Sequence, residues 1–162
     1  MNTTGGFSSI QLLIEEISLK LDYLDNWVAI EIGETAAKIS KKKLLPVTIE
    51  VRIKDWVVYH VSLLGSKPEN DLWINRKARV VSLKQHSTMY ERVSSEERGI
   101  NWFKENGVKE ATHAIHGGGL PLITKAEGFA GILLISGLPQ VEDHLLGVEV
   151  LTEFLARKGE LI

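Results

Sequence analysis

Phe129-Ala130-Gly131-Ile132-Leu133-Leu134-Ile135-Ser136 is the stretch on which the fold turns. It reads as a strand, entered through Ala126-Glu127-Gly128 and left through Ser136-Gly137, and it is apolar at odd and even positions alike. An antiparallel strand with one wet face alternates. Unbroken apolarity therefore predicts a sheet with helices on both of its faces, an α/β (α+β) domain.

Outward from that strand, Thr112 to His116 and Pro121 to Lys125 read as short strands around the loop Gly117-Gly118-Gly119. On the other side, Ser136-Gly137-Leu138-Pro139 opens a helix that runs to about Lys158 and stops at Gly159. Its apolar stripe is Val141, Leu145, Val148, Leu151 and Leu155. In the first half, Ile10, Leu13, Ile14, Ile17 and Leu21 follow helical spacing from Ser9 to Leu21, an amphipathic helix with a packing role. Asp25-Asn26 caps a second helix to about Leu44, with Val28, Ile32, Ala36 and Ile39 on one face and Pro46 as its breaker. Lys41-Lys42-Lys43 falls at the helix end, where cations suit the negative pole of the dipole.

The period then changes to two, with Val47 to Ile53 and Trp56 to Leu63 as strands joined by Lys54-Asp55. A two-residue turn sets Ile53 opposite Trp56 and Ile49 opposite His60, which puts His60 on the apolar face. Ser66-Lys67-Pro68 introduces a third helix, roughly Glu69 to Gln85, whose mixed spacings predict contact with more than one surface. Between Ser87 and Gly107 the reading is a short helix from Ser95-Glu96-Glu97 to Asn106, with Gly107 as its stop.

Composition narrows the function. The 162 residues fit one domain, 1–162, with no linker, repeat or low-complexity tract. The absence of cysteine excludes thiolate catalysis and cysteine-held metals, and it suits a reducing cytoplasm. A net charge of −2, from 19 basic and 21 acidic residues, gives no footprint for nucleic acid. No apolar run reaches the roughly 20 residues of a membrane span, and no secretion signal opens the chain.

The glycine loops invite a ligand. Gly117-Gly118-Gly119 lets backbone amides approach a small molecule, and the helix start after Ser136-Gly137 offers N–H groups to an anion. Neither loop matches a phosphate loop or a dinucleotide fingerprint. Ser136 lacks the glycine two residues before it that a nucleophile elbow uses, and Asp143 and His144 point roughly 100° apart on a helix. A triad is disfavoured. His113 and His116 would face opposite ways on a strand, so they do not share a metal; His60, His86, His113 and His116 each remain formal candidates for an axial haem ligand.

Three motifs together resemble a family: Asn70-Asp71-Leu72-Trp73-Ile74-Asn75-Arg76-Lys77; His86-Ser87-Thr88; and Ala114-Ile115-His116-Gly117-Gly118-Gly119 with Ser136-Gly137-Leu138-Pro139-Gln140-Val141-Glu142-Asp143-His144. From about Asp25 to Leu155 the chain is similar to the HbpS-like, GlcG-like family, the "haem-degrading domain". The resemblance implies a profilin-like fold with a five-stranded antiparallel sheet, and assembly into homo-oligomers. It also implies a small anionic molecule or a tetrapyrrole such as haem as ligand. Carried over by position, the ligand-binding residues are Lys77, His116, Gly117, Gly118, Gly119, Ser136, Gly137, Asp143 and His144, with no catalytic or metal residue assigned. The alternatives are an interaction protein, whose motifs and tryptophans 27, 56, 73 and 102 build a subunit interface, and a haem-degrading enzyme.

Overall fold

A computed structural model describes residues 4–159, so the two ends of the expected 1–162 domain lie outside the described residues. The order is α1 (Ser9–Ser18), α2 (Asn26–Lys42), β1 (Thr48–Ile53), β2 (Trp56–Ser62), α3 (Glu69–Lys84), α4 (Thr88–Glu97), α5 (Trp102–Asn106), β3 (Gly119–Thr124), β4 (Gly128–Ser136) and α6 (Gln140–Arg157). One antiparallel sheet has the order β2-β1-β4-β3.

The apolar run of β4 sits in the middle of that sheet and is covered on both sides, as its composition predicts. Leu133 and Ile135 join a core with α2 and α6, through Ile32, Ala36, Val150 and Phe154. Ile132 and Leu134 point the other way, onto Ile74, Ala78 and Val81 of α3. Helix α3 does serve two surfaces, because Val80 joins Trp102 and Ile115 in a separate cluster.

Among the described residues the sheet has four strands, not the expected five. The missing strand is Thr112 to His116, which forms turns and bends. Its backbone bonds elsewhere: the N–H groups of Thr112 and His113 donate to the Lys109 carbonyl, and that of Ala114 donates to the carbonyl of Arg76 in α3. Once those groups are spent on a turn and a helix, none is left for a sheet ladder.

His60 is on the opposite face from the one expected. Ile53 does pair with Trp56, but the register slips between Val51 and Arg52, so that Glu50 faces His60 and Ile49 faces Val61. One extra residue moves every later side chain to the other face. His60 Nδ1 lies 2.9 Å from Glu50 Oε1, in a polar strip with Arg52 and Asp71.

Two helical expectations also change. Helix α1 buries Leu12 and leaves Ile10, Ile14 and Ile17 between 61% and 68% exposed, so its apolar stripe faces outward. The segment after His86 holds α4, with Ser87 as its N-cap accepting from the Tyr90 N–H, and Ser95-Glu96-Glu97 ends that helix instead of starting one. The next helix, α5, stops at Gly107 in the left-handed conformation, as expected.

Candidate ligand cleft

Ser136 closes β4 and Gln140 opens α6, so the chain turns sharply over Gly137-Leu138-Pro139. Helix α3 crosses the same end of the sheet. Between them lies a cleft of about 320 Å³, lined by Asn70, Trp73 and Lys77 of α3, His116, and the turn from Ser136 to Gln140 with Asp143. This is near the lower limit of the ~300–1,000 Å³ usual for small-molecule sites.

Lys77 and Asp143 form its inner wall, each side chain 3% exposed. Lys77 Nζ donates to the Ile135 carbonyl at 2.9 Å and to Asp143 Oδ2 at 3.2 Å. Asp143 Oδ1 accepts the Leu138 N–H at 3.0 Å, so the carboxylate also ties down the turn before α6. Burial shapes both groups. It pushes the Asp143 carboxyl up to about 6, with Lys77 and the N–H groups of Leu138 and Gly137 opposing the rise. Burial likewise holds the Lys77 ammonium below its usual value, against the pull of Asp143.

His116 stacks edge-on against Trp73, ring centres 4.7 Å apart, and its Nδ1 is buried without a hydrogen-bond partner. Burial lowers its pKa to about 4, aided by Arg92, Lys77 and Arg76. The imidazole is therefore neutral at pH 7. Arg76 lies over the Trp73 ring, its guanidinium carbon 4.3 Å from the ring centre. Ser136 is buried, and its Oγ accepts from Asn70 Nδ2 at 3.4 Å.

Of the residues expected to bind, Lys77, His116, Ser136, Gly137 and Asp143 come together on this cleft. The glycine loop does not face it. The Gly117 N–H donates to Gln140 Oε1 at 3.3 Å, and the Gly119 N–H to Thr88 Oγ1 at 3.1 Å, so those two amides are engaged within the protein. Gly118 lies behind Lys77: a β-carbon there would meet the Ile135 carbonyl oxygen and stand 2.7 Å from Lys77 Nζ. His144 also points away, with Nε2 2.8 Å from Glu15 of α1 and its ring against Phe7.

Asn70, Trp73, Leu138, Pro139 and Gln140 complete the lining, although the expected ligand-binding residues do not include them. A signal was present, since Asn70, Trp73 and Lys77 fall at helical spacings that share a face. Among the other histidines, His86 is held by Glu16 at 2.8 Å, and His113 meets Thr112 at an exposed turn.

Residues 24–152 match the family described as "Haem degrading protein HbpS-like". A UPF0303 protein of Streptomyces avermitilis is 33% identical over 135 residues, which cover 83% of this chain and 81% of the relative. Among solved structures, the Ybr137w protein has a TM-score of 0.83 at 25% identity, over 91% of this chain and 88% of that one. A PduOC:heme complex shares the fold, with a TM-score of 0.67 at 15% identity, over 80% and 93% of the two chains.

Proposed function

The chain belongs to the HbpS-like family, and from that membership we propose that it is a binding protein whose cleft between α3 and the start of α6 holds a small carboxylate-bearing molecule. The supporting observation is convergence. Asn70, Lys77, His116, Ser136 and Gln140 come from distant parts of the chain, yet their polar groups line one small cleft with an indole wall. A ligand bound to the native state raises its melting temperature. Acetate, lactate, benzoate and succinate should include at least one that does so, with the effect lost in Ser136→Val. No shift with any of them would remove this reading.

Haem is the second reading, carried by His116. Its imidazole is neutral above about pH 4 and lines the cleft, which suits an axial nitrogen ligand. The fit is partial, because a cleft of about 320 Å³ does not enclose a whole macrocycle. Haem supplies redox and oxygen chemistry where it binds; the residues present here would supply the imidazole and, through Lys77, a cation. Haemin should give a Soret shift that disappears in His116→Ala if this reading holds.

We further propose a single domain over 1–162, a cytoplasmic setting and self-association. Among the described residues, no helix is long and apolar enough to cross a membrane. The outward stripe of α1, Ile10, Ile14 and Ile17, is a surface that a second copy would cover.

A further inference from the structure

Lys77 and Asp143 are the two formally charged side chains of the cleft lining, and together they are neutral. Any ligand anion that enters adds one unmatched negative charge beside a buried carboxylate. Desolvation makes that imbalance expensive, and two carboxylates that share a site do not readily both stay ionised.

Among the described residues, Lys77 is the cation that acts on Asp143; Arg76 and Arg92 act on His116 instead and donate to the Glu110 and Ile115 carbonyls. From α3 Asp143 meets Lys77, and from the turn before α6 it meets the N–H groups of Gly137 and Leu138. From the glycine loop it meets Gly118, which has no side chain. On its own helix, Glu142 is exposed and His144 turns to Glu15 of α1. His116 shares the cleft but stays neutral down to about pH 4.

A proton is the remaining means of balance. Resting on the carboxylate reading above, we propose that the cleft binds a monocarboxylate together with one proton, which is taken up by Asp143, leaving the charge of Lys77 to the ligand. The two oxygens of Asp143 are not equivalent. Oδ1 accepts the Leu138 N–H and Oδ2 accepts from the Lys77 ammonium, so Oδ2 takes the proton as Lys77 gives up that bond for the ligand anion. Lys77 keeps its bond to the Ile135 carbonyl in both states and so stays in place.

Asp143 is thus a specificity-determining residue. One ammonium and one protonated carboxyl match one negative charge; a dicarboxylate leaves a second charge unmatched, and a neutral amide recruits no proton. The Asp143 carboxyl already sits near 6 before any anion arrives, which makes the uptake accessible close to neutrality.

Calorimetry of acetate, lactate, benzoate, succinate and acetamide binding, at pH 5.5 to 8 in two buffers of different ionisation enthalpy, counts the protons directly. About one proton should be taken up per monocarboxylate at pH 7 to 8, with Kd rising about tenfold per pH unit above about 6. Succinate should bind more weakly. Asp143→Asn should bring the uptake to zero and leave monocarboxylate affinity flat between pH 6 and 8. If D143N does not fold, the proton count on the unaltered protein decides, together with the protonated-carboxyl band in difference infrared spectra with acetate. Monocarboxylate binding without proton uptake, uptake that persists in D143N, or a preference for succinate overturns the proposal while leaving the cleft a binding site. No binding by any of the five compounds at any pH overturns both readings.

Discussion

Gly118 has φ of +125°, and its missing β-carbon is what lets the Lys77 ammonium reach the Ile135 carbonyl. Gly118→Ala should therefore destabilise the fold by more than about 2 kcal/mol, since the backbone is strained as well as the space filled; a denaturant titration checks it. Lys77→Met acts on the same pair. It strands a buried carboxylate and should cost about 3–5 kcal/mol at pH 8. The loss should shrink at pH 5, where Asp143 takes a proton, and the double change with Asp143→Leu should recover much of it. The family resemblance groups Lys77, Gly118 and Asp143 as ligand-binding positions, and the three lie side by side. It does not show that the glycine serves the lysine instead of the ligand, because a glycine pattern carries no information on which side of the loop is crowded.

At the scale of elements, α1 and α4 are fastened by Glu16, whose carboxylate lies 2.8 Å from His86 Nδ1 and accepts the Ser87 N–H at 2.8 Å. The bond to Glu16 is the leading cause that raises the His86 pKa above 6.5. A raised histidine stabilises the fold fully below its unfolded value, and that contribution is lost as pH rises through the folded value. His116 has the opposite sign: its lowered value makes stability fall as pH drops from about 6.5 towards 4. Nitrogen-15 NMR should give a His116 midpoint near 4 and a His86 midpoint above 6.5, with the latter returning towards 6.5 in Glu16→Gln. Helix α2 is legible because Val28, Ile32, Ala36 and Ile39 form one buried stripe. Helix α6 is legible in extent but only partly in face, since Leu145 of the expected stripe is 46% exposed while Leu146, Val150 and Phe154 are buried beside Leu151 and Leu155. Helix α4 is not, since its buried residues include Thr88, Glu91 and Ser95, polar types that blur the stripe. The slip in β2 is likewise invisible, because a bulge needs no special residue at Val57 to Tyr59.

Over the whole molecule, the two-sided cover of β4 follows from composition, whereas the strand count does not. Thr112 to His116 has strand-like residues, and a hydrogen bond from Ala114 to α3 decides its state. Tertiary partners of that kind leave no trace in local pattern. The outward stripe of α1 is a departure from a self-contained core. Sedimentation should show an assembly that Ile14→Glu reduces in size with little change in melting temperature, since Ile14 is 61% exposed in the single chain. A dissociated variant with a markedly lowered melting temperature would instead assign Ile14 to the fold.

Trp73 is the one tryptophan on the cleft, held against the His116 ring, while Trp27 and Trp56 lie on the surface and Trp102 donates its indole N–H to Glu91 in the interior. The chain thus carries its own optical gauge. Replacing Trp27 and Trp56 with Phe clears the surface background, and the remaining emission change on titration with a ligand reads cleft occupancy without any attached dye.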